Sequence, residues 1–233
     1  MKKQGYIIVC LLCALLRPVV ASEVVIVLHG LARSSDSMTK MADALAAAGY
    51  TVHNLDYPSR HHPIETLAEM VRCQIEARTT SEDTIHFVTH SMGGIIVRSI
   101  QKDAPFDTIG RVVMLSPPNH GSELVEALGD YSVFEWINGP AGNQLGTDPN
   151  GFIAQLGPID FELGVITGDY SINWINSMMI PGDDDGKVST ESAKLPGMRD
   201  YRIIHATHPY IMVHEEAITA TLHFLNSGRF DPE

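Results

Sequence analysis

The chain has 233 residues, enough for one sizeable core in a single domain. Hydrophobic residues make up 44% and charged residues 19%, a globular composition that excludes a disordered chain. A formal net charge of −12 argues against nucleic acid as a partner, because that binding needs clustered Lys and Arg.

The first residues read apart from the rest. "MKKQG" is basic, "YIIVCLLCALL" is apolar, and "RPVVAS" places Val19 and Ala21 at small-residue positions before Ser22. This is the pattern of a signal peptide over residues 1–21, and the apolar run is short for a transmembrane helix. The expectation is a secreted or periplasmic protein, with an uncleaved N-terminal membrane anchor as the alternative. Cleavage would remove Cys10 and Cys13 and leave Cys73, a thiol without an internal partner and expected to pack inertly.

Residues 22–233 then alternate strand and helix. "EVVIVLHG" (23–30) is a β-branched run ending in Gly, which reads as a strand buried on both faces. In the next segment Met38, Met41, Leu45 and Ala48 recur at helical spacing, with Gly49 at the end. "TVHNLDYP" (51–58) is a strand, and residues 64–77 are a helix with Ile64, Leu67, Val71 and Ile75 on one side. "TIHFVTH" (84–90) is a strand, "MGGIIVRSIQK" (92–102) a helix that starts at once, and "RVVMLS" (111–116) a strand. The alternation breaks over 117–160, which is rich in Gly, Pro and Asn with scattered Phe134, Trp136 and Phe152. It reads as an insertion over one edge of the sheet. Strands resume at 163–170 and 200–206, and a helix over 210–228 closes the chain at Gly228. The order implies an α/β fold, a mostly parallel sheet of about six strands with helices on both faces. In such sheets ligands sit beyond the carboxyl ends of the strands.

The residues at those ends carry the chemistry. Ser91 lies between the strand "TIHFVT" and the helix "MGGIIV", held out from the backbone at the positive end of a helix. Gly93 and Gly94 let strand and helix approach. A helix N-cap would also place a serine there. His29 and Gly30 end the first strand. A nucleophilic serine needs a base, and the base needs an orienting carboxylate. "PGDDDGKV" offers Asp183, Asp184 and Asp185, which could equally form a solvated acidic turn; no metal-loop periodicity follows them. "RIIHATHPY" offers His205, placed within the strand and expected to pack, and His208, just beyond it.

On these residues the chain resembles the α/β-hydrolase superfamily, in the minimal form of small bacterial lipases and esterases. Thr89 stands where the family's Gly-x-Ser-x-Gly motif has its first Gly. Gly182, Asp185 and Val188 match the Gly-x-x-Asp-x-x-Val spacing of the family's acid loop. The resemblance implies an α/β-hydrolase fold with Ser91 as nucleophile, His208 as base and Asp185 as the orienting acid. It implies an oxyanion hole from the backbone N–H groups of Leu31 and Met92. It implies hydrolysis of a small-molecule ester or a lipid through an acyl-enzyme, with transient contact to a lipid surface and neither cofactor nor metal. An acyltransferase or thioesterase would use the same triad, and a binding module on this fold would lack one of its members. Residues 117–160 are expected to form a lid-like cover on the acyl pocket.

Overall fold

The computed structural model describes residues 22–128 and 132–231, with side chains at all of these except 127, 128 and 132–137. The expected leader over 1–21 and the side chains of Phe134 and Trp136 lie outside the described residues.

Six strands form one sheet: β1 (Glu23–Leu28), β2 (Thr51–Leu55), β3 (Thr84–His90), β4 (Ile109–Leu115), β5 (Leu163–Gly168) and β6 (Asp200–Ile204). Their order is β2-β1-β3-β4-β5-β6, and every pairing is parallel. The helices are α1 (Thr39–Ala47), α2 (Ile64–Glu76), α3 (Met92–Asp103), α4 (Glu123–Leu128), α5 (Ser132–Asn143), α6 (Trp174–Ser177), α7 (Thr190–Ala193) and α8 (Glu215–Ser227).

The strands are apolar on both sides because both sides are covered. Val24, Ile26 and Leu28 of β1 face a core shared with Leu67, Val71 and Ile75 of α2 and Ile95 of α3. Val25 and Val27 face a second core shared with Met41 and Leu45 of α1 and Ile218 and Phe224 of α8. Each fully buried aliphatic or aromatic side chain of this kind contributes about 1.5–3 kcal/mol. Where α8 comes closest to the sheet, a Cβ on Gly164 of β5 would sit 2.7 Å from the Phe224 ring. Gly228, at a φ of 77°, ends α8 and donates its N–H to the Phe224 carbonyl at 2.7 Å.

Several boundaries differ from the sequence reading. β1, β2, β5 and β6 end at Leu28, Leu55, Gly168 and Ile204, short of 30, 58, 170 and 206. The residues beyond these points leave the ladder to build the loops at the carboxyl ends. The first and last helices are each preceded by a 3-10 turn, at Ser35–Met38 and Ile211–Val213. Cys73 is exposed on α2 rather than packed.

Residues 117–160 are more helical than their Gly, Pro and Asn content suggests. They contain α4, α5 and a 3-10 turn at Ala154–Leu156. Gly139 and Pro140 interrupt the regular spacing of α5: Gly139 is non-helical, with a φ of 67° and a ψ of −174°. The segment reaches from the pocket around Ser91 to the loop after the edge strand β2, where a Cβ on Gly139 would strike the Arg60 carbonyl oxygen at 1.9 Å. Gln144 Oε1 accepts from the Ile64 N–H at 2.6 Å, fixing the segment to the start of α2.

Candidate active site

The chain runs from β1 outward to β2 and then returns to β3 on the other side of β1. That reversal opens a crevice at the carboxyl ends of β1 and β3. The register pairs Leu28 with Thr89, so the turn after β1 lies beside the turn after β3.

Ser91 occupies the β3–α3 turn with a φ of 53° and a ψ of −123°, a conformation that L-residues avoid. Its N–H donates to the Leu115 carbonyl at 2.8 Å, which clamps the turn onto the end of β4. The turn is tight enough that a Cβ on Gly93 would lie 2.9 Å from the carbonyl oxygens of both Leu28 and His29. Gly30 is constrained in the same way, because a Cβ there would lie 2.8 Å from His90 Nδ1 and 3.1 Å from the Ser91 Cβ. Thr89 is fully buried under the turn, and its hydroxyl has no partner among the described residues. Ala32, Ser91 and Ser116 are the non-glycine residues with positive φ among those described, and they follow β1, β3 and β4.

His208 comes from the loop after β6, and its Nε2 lies 3.0 Å from Ser91 Oγ. Its Nδ1 lies 2.8 Å from Asp185 Oδ2. All three side chains are buried. Asp185 also accepts at Oδ1 from the N–H groups of Lys187 and Val188, each at 3.0 Å. Its backbone carbonyl accepts from the His208 N–H at 2.9 Å, so acid loop and histidine loop are held at two points. Burial pushes the Asp185 carboxyl up; the neighbouring His208 charge and the hydrogen bonds outweigh that and hold it below the usual carboxylate range.

The other two aspartates have different surroundings. Asp183 is exposed. Asp184 is buried rather than solvated, and its Oδ1 accepts from Ser177 Oγ at 2.9 Å and from the Gly186 N–H at 2.7 Å. It ties α6 to the acid loop. His205 does not pack in the core: it is exposed, with Nδ1 3.0 Å from Asp169 Oδ1. Leu31 follows β1 and lines the pocket around Ser91, Met92 opens α3 directly after Ser91, and neither backbone N–H has a hydrogen-bond partner among the described residues.

A family model for the alpha/beta hydrolase fold matches residues 23–147, more than half of the chain. The chain belongs to the α/β-hydrolase fold family. The mature form of a lipase from Bacillus licheniformis superposes with a TM-score of 0.65 at 19% identity, covering 90% of this chain and 93% of that one. A metagenomic carboxyl esterase superposes with a TM-score of 0.65 at 18% identity, covering 82% of this chain and 66% of the other. A phospholipase from Legionella pneumophila gives 0.61 at 18% identity, covering 75% of this chain and 45% of that larger one. A comparison with curated proteins finds no match.

Three sets of contacts in this α/β-hydrolase site were not read from the sequence, although His29 itself was singled out at the end of the first strand. His90, next to Ser91, is buried, and its Nε2 lies 3.0 Å from the His208 carbonyl oxygen. Burial, then the charge of His208, pushes its pKa well below the ordinary value, so the ring is neutral and Nε2–H donates to that carbonyl. The ring thereby holds the His208 loop from below, 4.9 Å from the His208 ring. His29 acts similarly on the β1 turn. Burial lowers its pKa, its Nδ1–H donates to the Gly30 carbonyl at 2.9 Å, and its Nε2 accepts from the Tyr57 N–H at 3.3 Å. The third is the stretch "PPNHGSE" after β4. Pro118 and Ser122 line the pocket around Ser91, and Ser122 Oγ donates to the Lys187 carbonyl at 2.8 Å. A polar residue directly before the serine was the one signal available for His90; the others depend on contacts between distant segments.

The pocket that contains Ser91 and His208 encloses about 80 Å³. Leu124, Val125, Asn138 and Leu145, all from the 117–160 segment, form much of its wall together with Leu31.

Proposed function

We propose that the protein is a serine hydrolase that cleaves carboxylic esters. Ser91 Oγ attacks the acyl carbonyl while His208 Nε2 takes its proton. Asp185 holds Nδ1–H of the ring and stabilises the imidazolium. The negative charge on the former carbonyl oxygen is met by the N–H groups of Leu31 and Met92. The imidazolium returns its proton to the leaving alcohol, giving an acyl-Ser91 ester. Water, deprotonated by His208, then releases the carboxylic acid and restores the hydroxyl.

The single observation that carries this reading is the continuous relay from Asp185 Oδ2 through His208 to Ser91 Oγ, at 2.8 and 3.0 Å, at the carboxyl ends of the strands. The lipase, esterase and phospholipase named above share the fold and support the substrate class by analogy. The 117–160 segment serves as a cover that shapes the acyl pocket, consistent with the wall it forms. The N-terminal segment directs export, with cleavage after Ala21.

The test is covalent labelling. A fluorophosphonate should add to Ser91, located by peptide mass spectrometry, and the same reagent should block turnover of a panel of 4-nitrophenyl esters. Labelling that persists in Ser91→Ala, or esters left untouched by a folded wild-type protein, would overturn the reading.

A further inference from the structure

The pocket around Ser91 has an uneven charge. Among the described residues its lining includes Arg33 and Lys187 and neither Asp nor Glu. The chain as a whole is strongly acidic, at −12, so this local sign is opposite to the bulk. Arg33 belongs to the turn after β1 that carries Leu31. Lys187 lies two residues past Asp185 on the acid loop. The two cations therefore reach the same pocket from loops on different sides of Ser91.

Neither side chain makes an ion pair among the described residues. Some cations elsewhere are paired: Arg111 and Arg199 share Glu162, and Arg202 meets Glu216 and Asp231. The two charges also act on each other. Lys187 is exposed at the rim, yet surrounding protein lowers its pKa, and Arg33 lowers it further. The buried His90 ring beneath Ser91 is likewise disfavoured as a cation by both Arg33 and Lys187. Both residues line the same pocket as Ser91. Asp185, two residues before Lys187, offsets part of this positive charge but is engaged by His208, and like charges held near each other are relieved when an anion enters between them. The bulk acidity does not cancel this, because charges beyond about 8 Å are largely screened at physiological salt.

We propose that the pocket selects esters bearing an anionic group, carboxylate or phosphate, a few bonds from the scissile carbonyl, with Arg33 and Lys187 as its receptors. This rests on the ester-hydrolase reading. Arg33 offers a planar fork of donors suited to two oxygens of either anion, and Lys187 offers a mobile point charge. The carbonyl then sits over Ser91 with the charged end at the Arg33–Lys187 rim, and the apolar part lies against Leu31, Leu124 and Val125.

Two ester pairs test the selection and locate the anion. In the acyl half, mono-4-nitrophenyl adipate is compared with its neutral methyl ester. In the alcohol half, butyryl glycerol phosphate is compared with monobutyrin. The expected result is a kcat/KM at least about tenfold higher for the charged member of one pair, the scale of a charge-assisted hydrogen bond. Arg33→Gln with Lys187→Gln should bring that ratio to about one, whereas Arg33→Lys with Lys187→Arg should keep most of it. Added salt should narrow the wild-type ratio. Equal or better turnover of the neutral member in both pairs would overturn the proposal while leaving the hydrolase reading intact. So would a double variant that slows both members alike and keeps the ratio. Failure to turn over any of the four esters, with no phosphonate labelling, would overturn both.

Discussion

Replacing Asp185 by Asn tests the relay through one atom. In the wild type the two carboxylate oxygens have separate partners: Oδ2 faces His208 Nδ1 at 2.8 Å, and Oδ1 accepts from the N–H groups of Lys187 and Val188 at 3.0 Å each. An Asn side chain has one oxygen and one NH₂ for these three donors. If the oxygen stays on the two N–H groups, the NH₂ faces Nδ1. The ring then carries its proton on Nε2 and has no lone pair for the Ser91 hydroxyl. If the amide flips, His208 keeps its tautomer, but two N–H groups lose their acceptor at about 1–3 kcal/mol each. The productive arrangement is thus disfavoured by about 2–6 kcal/mol, or roughly 30- to 26,000-fold at 1.36 kcal/mol per decade. The loss of about 10⁴-fold known for the corresponding change in serine proteases falls within that range. The expected outcome is a kcat reduced by about 10²–10⁴-fold with a similar KM and a folded protein, read from 4-nitrophenyl butyrate kinetics beside a thermal melt. Asp183→Asn and Asp184→Asn should keep most activity, Asp183 because it is exposed and Asp184 because an Asn oxygen can still accept from Ser177 and Gly186. An Asp185→Asn protein within tenfold of wild type, or a larger loss from either neighbour, would refute the reasoning.

His90→Phe should lower kcat by about 10–100-fold with little change in KM, because it leaves the buried His208 carbonyl without its donor at about 1–3 kcal/mol. His90→Gln should recover part of that loss; equal kcat in both variants and wild type would remove the positioning role. Gly93→Ala should cost about 1–3 kcal/mol, a few to about ten degrees in Tm, because the new methyl meets two backbone carbonyls that cannot withdraw. An unchanged melt would contradict the close approach. The Asp185 carboxyl is held low in the folded state, so its stabilising contribution is full above the unfolded carboxylate pKa of about 3.9 and fades as pH falls through the lower folded value. The Tm gap between wild type and Asp185→Asn should therefore shrink below about pH 4, measured by calorimetry. Trp136→Ala should shift acyl-chain preference across an ester series more than it shifts Tm, as expected of a residue in the covering segment; the opposite pattern would make that segment a packing element alone.

The sheet was legible because its strands are continuous β-branched runs, and a strand covered on both faces has no other composition available. Ser91 was legible because strand, turn and helix follow one another without a spare residue. Asp185 could be separated from Asp183 and Asp184 only by its distance from Gly182 and Val188. The geometry that now distinguishes them, an exposed Asp183 and a buried Asp184 bound to Ser177, comes from how α6 folds back on the loop. The helices of 117–160 were hidden because Gly139 and Pro140 break the spacing that a helix would show. That break is required by contact with Arg60, nearly eighty residues earlier in the chain. The contacts of His29, His90, Arg33 and Lys187 were obscured for the same kind of reason. Each of these residues acts on one that is near only after folding.

The strained residues have a consequence for selection. Ala32, Ser91 and Ser116 hold conformations that glycine would adopt freely, at the ends of three adjacent strands. Each such residue costs on the order of 1–3 kcal/mol relative to an unstrained one. A library screened only for heat resistance should therefore enrich glycine at these three positions. At Ser91 that gain in durability removes the hydroxyl. Heat alone thus favours an inert scaffold, and the serine persists at that turn only where its chemistry is also selected.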